Sequence, residues 1–307
     1  MAATTPNKDI VMRVFVTGAS GWVGSAVTKE LLAAGHSVLG LARSDASAEA
    51  VQKAGAEVYR GSLEDPDSLR QGAAEADGVI HTAFSHDFSK FVQNGQDEMR
   101  AIAVLSEELK GSGKPLVVTS GLAFLGGGRL ATEDEAVPAG AHAVPRDPET
   151  PAMTAAANGV RASLVRLSPS VHGTGDKGFI RIVADIARAK GVSAYIGEGL
   201  NTWPAVHRFD AAKLFMLALD KGVAGARYHA AAEEGVPFRE IAEAIGQGLK
   251  LPVVSLAPDK VAEHFGWFAN FAAINCRASS ARTQAELGWT PTGPGLLEDI
   301  RSGSYFA

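Results

Sequence analysis

The chain has 307 residues, a formal net charge of −5 at pH 7 and 46% hydrophobic residues, enough for one large α/β domain or a large domain with a smaller companion. An acidic balance without a long basic run points away from nucleic acid and anionic membrane surfaces and toward a small-molecule partner. Cys276 is the single cysteine, residues 1–10 lack a signal-peptide core, and no run of 18 apolar residues occurs, so the expectation is a cytoplasmic protein without an intrachain disulfide.

Residues 11–16 read as a strand, and residues 17–24, TGASGWVG, lead from it into the apolar-periodic stretch 23–34. Strand, glycine turn and helix in that order form a dinucleotide cradle. Gly18 permits the tight turn, Gly21 admits a pyrophosphate to the backbone, Gly24 lets helix pack on strand, and the helix N-terminus offers free N–H groups to phosphate. Further strands are expected at 38–42, 58–60, 79–82, 116–120 and 163–167, with helices at 22–34, 47–54, 66–73 and 89–111 between them. Asp65-Pro66 supplies an N-cap and a proline at N1 for the third helix. Such alternation implies βαβ units and a parallel sheet.

Residues 121–149 hold three consecutive glycines, three prolines and an acidic cluster, the composition of a long functional loop over a site. Thr150 is the expected N-cap of the next helix and Asn158-Gly159 its stop. Beyond Pro169, stretches 179–190 and 210–220 read as helices, and 192–196 and 227–230 as extended. The expected organisation is a doubly wound Rossmann-type parallel sheet in residues 1–170, with returning segments around 204–232. Residues 171–203 and 233–307 form a smaller C-terminal substrate-binding lobe.

The cradle, with GSLED (61–65), VIHTAF (79–84), VVTSG (117–121), VRLSPSVHGTG (165–175), PAVHRFDAA (204–212) and ELGWTP (286–291), resembles the extended short-chain dehydrogenase/reductase superfamily, of the NAD-dependent epimerase/dehydratase kind. The resemblance implies that Gly18, Ser20, Gly21, Trp22, Val23 and Gly24 hold the diphosphate and that Ser62 and Leu63 lie by the adenine, Ser62 replacing the family's frequent Asp. It further implies that His81, Thr82, Ala83 and Phe84 border the diphosphate and ribose, and that Pro169, Ser170 and Val171 meet the nicotinamide amide. His81 reads as structural, and Asp210 as the cap of its helix.

An NAD-preferring member places a carboxylate at the end of the second strand, where this chain has Ala42 followed by Arg43 and Ser44. A guanidinium and a hydroxyl there suit the 2′-phosphate of NADP(H).

The resemblance also implies a Tyr-x-x-x-Lys pair about 25 residues after Ser120, where the chain has Pro145 and Glu149. No tyrosine occurs between Tyr59 and Tyr195, and no lysine between Lys114 and Lys177, which marks an atypical member. A lost proton donor costs a factor of about 10²–10⁴, and the candidate replacements are His142, His172, Tyr195 and His86. Ser120 is expected to donate a hydrogen bond to a carbonyl oxygen. Phe84, His86, Leu122, Phe124, Phe179, Trp203 and Trp267 form the expected substrate wall. These features point to hydride transfer, by NADP(H), to or from a small apolar or aromatic carbonyl, imine or activated alkene, and the resemblance implies a homodimer. An NADP-binding sensor that lost the chemistry and a nucleotide-sugar epimerase or dehydratase are the alternatives; a metal site is not expected.

Overall fold

The computed structural model describes residues 11–85, 90–123, 125, 127–137 and 146–306. The first half alternates β1 (Arg13–Thr17), α1 (Trp22–Ala33), β2 (Ser37–Ala42), α2 (Asp45–Lys53), β3 (Glu57–Arg60), α3 (Pro66–Ala74), β4 (Gly78–His81), α4 (Phe91–Leu109) and β5 (Pro115–Gly121). Then come β6 (Leu130–Ala131), α5 (Glu149–Ala157), β7 (Arg161–Leu167), β8 (Ser170–His172), α6 (Phe179–Lys190), β9 (Ser193–Ile196), β10 (Thr202–His207), α7 (Arg208–Lys221) and β11 (Arg227–Ala230). The chain continues through β12 (Glu233–Pro237), α8 (Phe238–Leu249), β13 (Val253–Leu256), α9 (Val261–Phe265), α10 (Ala269–Ala272), β14 (Arg277–Ala278), α11 (Ala281–Leu287) and α12 (Leu296–Arg301).

Seven parallel strands form the central sheet in the order β3-β2-β1-β4-β5-β7-β11. Strand alternation sends Val14 and Val16 to one face, against Val27, Leu31, Leu214 and Phe215, and Phe15 to the other, against Leu69, Ile102 and Leu105. Both faces are buried, so these strands read as continuous apolar runs rather than as polar-apolar repeats. The order reverses between β1 and β4, which opens a crevice at their carboxyl ends, the place where ligands sit in such sheets.

The strands of the first half begin and end within two residues of their expected positions. Asp65 caps α3 by accepting from the N–H groups of Asp67 (3.1 Å) and Ser68 (3.3 Å). Thr150 does not cap α5: the helix starts at Glu149, and Asp147 accepts from the Thr150 N–H (3.1 Å) and hydroxyl (2.6 Å). A carboxylate three residues earlier reaches the open N–H groups that a threonine inside the first turn cannot. Asp210 likewise is not a cap; it lies inside α7 and accepts from the N–H groups of Thr292 (3.0 Å) and Gly293 (2.8 Å), fastening the C-terminal segment.

A third core surrounds Trp203, Phe238, Phe268 and Ile241. It is built by α6, α8 and α12 with the small sheets β12-β10-β8 and β13-β9, while α7 and β11 rejoin the main sheet and its core. No helix among the described residues is long and apolar enough to cross a membrane.

Candidate active site

The crevice begins at the turn after β1. Gly18 has φ +74°, and a Cβ there would lie 2.8 Å from the Ala83 N and Cα. The chain leaving β4 therefore comes too close for any side chain at Gly18, and only glycine takes this left-handed conformation without strain. Gly24 is equally confined, since its Cβ would lie 2.0 Å from the Gly18 carbonyl oxygen. Gly21 differs. Its Cβ would meet only the Gly18 oxygen, at 3.1 Å, and the residue is exposed beside the N-terminus of α1. An open glycine at that helix end fits a dinucleotide diphosphate, with Ser20, Gly21, Trp22 and Val23 at the rim.

Two long-range contacts brace this seat. The Trp22 indole donates to the Val171 carbonyl (2.8 Å), so the glycine turn is joined to β8, and the Arg208 guanidinium lies 3.8 Å over the Trp22 ring while donating to the Trp22 carbonyl (2.9 Å). Thr82 donates its hydroxyl to the Thr17 carbonyl (2.8 Å). His81 is fully buried with Nδ1 2.8 Å from the Thr17 hydroxyl, and burial together with the charge of Arg146 lowers its pKa to about 3. It is a neutral structural imidazole. Ser170 is also buried, whereas Pro169 and Val171 are half-buried. The Ser62 amide donates to the Ser68 hydroxyl (3.3 Å) on α3, and Leu63 packs beside the second core.

At the end of β2, Ser44 and Ser47 cap α2 reciprocally. Arg43 is exposed and makes no hydrogen bond or ion pair among the described residues. Arg60 stands opposite Ala42 in the β2–β3 register, and its guanidinium reaches Asp45 (2.7 Å). Two guanidinium groups thus flank the position where the sequence pointed to one.

The carboxyl end of β5 carries the main surprise. Ser120 donates its hydroxyl to Glu149 Oε1 (2.8 Å), and Arg166, wholly buried on β7, donates to both Glu149 oxygens (2.7 Å each). Burial alone would raise the Glu149 pKa; the hydrogen bonds and charge of Arg166, helped by Ser120 and Arg227, outweigh it and hold the carboxyl below its usual range. Arg166 Nη1 meets His229 Nε2 (3.2 Å), and His229 Nδ1 faces the Ser279 carbonyl (2.8 Å). Burial, then Arg166, lowers the His229 pKa to about 4, so His229 is neutral, donates from Nδ1 and accepts at Nε2. With its proton directed to Glu149, Ser120 has oxygen lone pairs for another group.

A second carboxylate–guanidinium pair, which the sequence reading did not single out, lies near the end of β4. Arg146 donates from Nε and Nη2 to the two oxygens of Glu98 (2.7 Å each), and its guanidinium carbon sits 4.2 Å over the Phe84 ring. Glu98 is 1% exposed on the inner face of α4, and burial raises its pKa despite Arg146. Its spacing from Ile102 and Leu105, four and seven residues on, was the available signal: a carboxylate on an apolar helical stripe needs a cation. Arg166 inside the apolar run of β7 carried the same signal.

Other expected site residues lie elsewhere. His172 is buried, with Nδ1 3.0 Å from Asp299, in a cluster where the Tyr305 hydroxyl contacts Asp176 (3.2 Å) and Asp299 (3.3 Å). It serves to bind α12 to β8. Tyr195 lies on β9, its ring 5.4 Å from the Arg239 guanidinium. Trp203 is not part of a pocket wall: it is fully buried among Phe179, Phe238 and Phe268, because the lobe needs its largest side chain as core. Leu122 is likewise sealed, packed with Leu125, Cys276 and Ala278. Phe179 packs edge-on to Phe268, and Trp267 is 57% exposed on the outside of that aromatic group. His86, Phe124 and His142 lie outside the described residues. Of the expected substrate wall, Phe84 alone is placed at the crevice by a described contact.

A family model described as NAD(P)H-binding matches residues 18–126, from the glycine turn past the end of β5. An uncharacterized protein of Schizosaccharomyces pombe is 48% identical over 297 residues, covering 96% of this chain and 100% of the relative. One of Saccharomyces cerevisiae is 45% identical over 95% of this chain and 98% of its own length. The crystal structure of a Streptomyces venezuelae dTDP-glucose 4,6-dehydratase double mutant with NAD bound superposes with a TM-score of 0.75 at 19% identity, covering 96% of this chain and 97% of that one; at that identity the likeness is one of fold. With the seven-stranded sheet and the glycine cradle at the reversal of strand order, residues 18–126 belong to the NAD(P)H-binding kind that the family model describes, the fold is that of the dehydratase, and the chain belongs to one family with the Schizosaccharomyces pombe and Saccharomyces cerevisiae proteins.

Proposed function

We propose that the protein is an NADP(H)-dependent oxidoreductase acting on a small apolar or aromatic carbonyl, imine or activated alkene. The observation that carries the cofactor reading is the end of β2, where Ala42 stands in place of a carboxylate and Arg43 is exposed and without a partner among the described residues, with Arg60 across the register. A 2′-phosphate would find two guanidinium groups there. Residues 1–170 with the returning segments around 204–232 would hold the cofactor, and the C-terminal segments would close over the substrate.

When bound, the nicotinamide supplies or takes up hydride. The chain's own residues do the rest. Gly18, Gly21 and Gly24 clear a path for the diphosphate, and the N-terminus of α1 meets its charge. Phe84 offers an apolar face to the substrate. Ser120, with its proton held by Glu149, can accept a hydrogen bond from a substrate hydroxyl or N–H group.

The committed Ser120 proton also favours a second reading, a cofactor-binding sensor without turnover. NADPH and NADH binding, measured by fluorescence titration and paired with NADPH oxidation in a panel of small aldehydes, ketones, imines and enones, separates the two. Preferential NADPH binding with turnover supports the enzyme; tight binding with none across the panel supports the sensor. Equal affinity for both cofactors would remove the NADP assignment.

A further inference from the structure

The tyrosine and lysine that the resemblance implies are absent, yet a fixed cation stands near the end of β4. Arg146 is one residue past Pro145, the position that matches the tyrosine, and three before Glu149, which meets Ser120. Its side chain is 23% exposed, so it is reachable, while its partner Glu98 is closed inside α4's apolar face. The fork geometry decides which hydrogens remain. Nε and Nη2 are both turned to Glu98, so Nη1 lies on the opposite edge of the guanidinium plane, and no described residue accepts from it. Phe84, beneath the plane at 4.2 Å, prevents the group from tipping. A guanidinium clamped on one edge by Glu98 and on one face by Phe84, with a third nitrogen that no described residue engages, is a preorganised anion contact.

We propose that Arg146 is a catalytic residue that binds the oxygen of a substrate carbonyl through Nη1, with Glu98 as its positioning residue. This rests on the oxidoreductase reading. In the reducing direction hydride from the cofactor forms the new C–H bond, the carbonyl π pair moves onto oxygen, and the negative charge that develops there meets the guanidinium. Arginine does not give up its proton in proteins, so water supplies the proton that completes the alcohol, and the cofactor is the species oxidised. The device replaces proton donation by charge stabilisation, which in other active sites accounts for factors of about 10²–10³ per donor.

The same contact could instead hold a carboxylate elsewhere on the substrate, and kinetics distinguishes the two. Arg146→Gln is expected to lower kcat about 100-fold on carbonyl compounds with and without a carboxyl group, leaving KM and the NADPH dissociation constant within about twofold. Guanidinium ion added to Arg146→Gln should restore part of the lost rate. Glu98→Gln should lower kcat about tenfold with no rescue. An unchanged kcat, a rise in KM confined to carboxylate substrates, or parallel loss of NADPH affinity would each overturn the proposal. Because Arg146→Gln strips a buried carboxylate of its partner, the neutral pair Arg146→Gln/Glu98→Gln is measured alongside and should show the same loss. A binding arm works without any substrate: benzoate, as a trigonal oxyanion probe, should bind the NADP⁺ complex of the wild type at least tenfold tighter than that of Arg146→Gln. Should the panel show no turnover, the oxidoreductase reading fails, and equal benzoate binding to the two proteins then overturns the role of Arg146 as well.

Discussion

Ser120 donates its hydroxyl proton to Glu149 across 2.8 Å, and Glu149 is held in turn by the wholly buried Arg166. The pair joins the carboxyl end of β5 to the first residue of α5. Removing Glu149 should therefore hurt folding more than removing Ser120. Glu149→Ala strands a buried guanidinium, at a cost of about 3–5 kcal/mol, whereas Ser120→Ala deletes one hydrogen bond to a charged acceptor, about 1.5–3 kcal/mol. Urea unfolding measures both. A smaller loss for Glu149→Ala would mean that Arg166 finds another partner.

Two buried carboxyl groups should give opposite pH slopes. Glu149 has its pKa held below the ordinary value, so its contribution is present above about pH 4.5 and is lost as pH falls through the folded-state pKa. Asp176 is pushed up to about 6, first by burial and against its hydrogen bonds from Gly178 and Tyr305. A raised folded-state pKa favours the native state at low pH, fully below about 3.8, and that advantage is gone above about 6. Asp176→Asn should accordingly gain up to about 2–3 kcal/mol over wild type at pH 8 and nothing at pH 3.5. Unfolding curves at the two pH values decide, and a gain that does not change with pH would show that Asp176 is not the titrating group.

The β2 end predicts cofactor selectivity from residues that leave the fold untouched. Arg43→Ala and Arg60→Ala should each weaken NADPH roughly tenfold while shifting NADH less than twofold, as expected for charge-assisted contacts to a phosphate. Asp45→Asn frees Arg60 from its 2.7 Å ion pair and should tighten NADPH. Equal changes for the two cofactors in calorimetric titrations would place neither arginine at the 2′-phosphate.

The three cradle glycines should separate by what surrounds them. Gly18→Ala and Gly24→Ala drive a methyl group to 2.8 Å and 2.0 Å from backbone atoms, so both should lower the melting temperature and abolish cofactor binding. Gly21→Ala meets one atom at 3.1 Å and should melt near wild type while binding NADPH much more weakly. Comparable melting losses at all three positions would contradict the open approach at Gly21.

What the sequence disclosed follows from range. The β1 strand, its glycine turn and α1 are written in residues that touch within 25 positions, and the Asp65-Pro66 cap within four, so periodicity and spacing found them. Trp203 misled for a physical reason: an aromatic in a lobe has the same local pattern whether it lines a cavity or fills one, and only the rings of Phe238 and Phe268, more than 30 residues away, settle it. Arg166–Glu149 and Arg146–Glu98 were legible as single anomalies, a charge inside a buried strand and a charge on a buried helical stripe, but not as partners, since pairing is set by the sheet order.

The Trp22 indole and the Val171 carbonyl close a loop of 149 residues, and Arg208 clamps the same indole from α7. A dinucleotide arriving at the turn meets a surface whose two halves are already joined, so little ordering entropy opposes its capture. The joining works in both directions. Whatever loosens β8 or α7, heat or a distant substitution, also releases the glycine turn, and a cofactor that grips the turn must slow the opening of those elements. Resistance to unfolding and hold on the cofactor are coupled through one tryptophan.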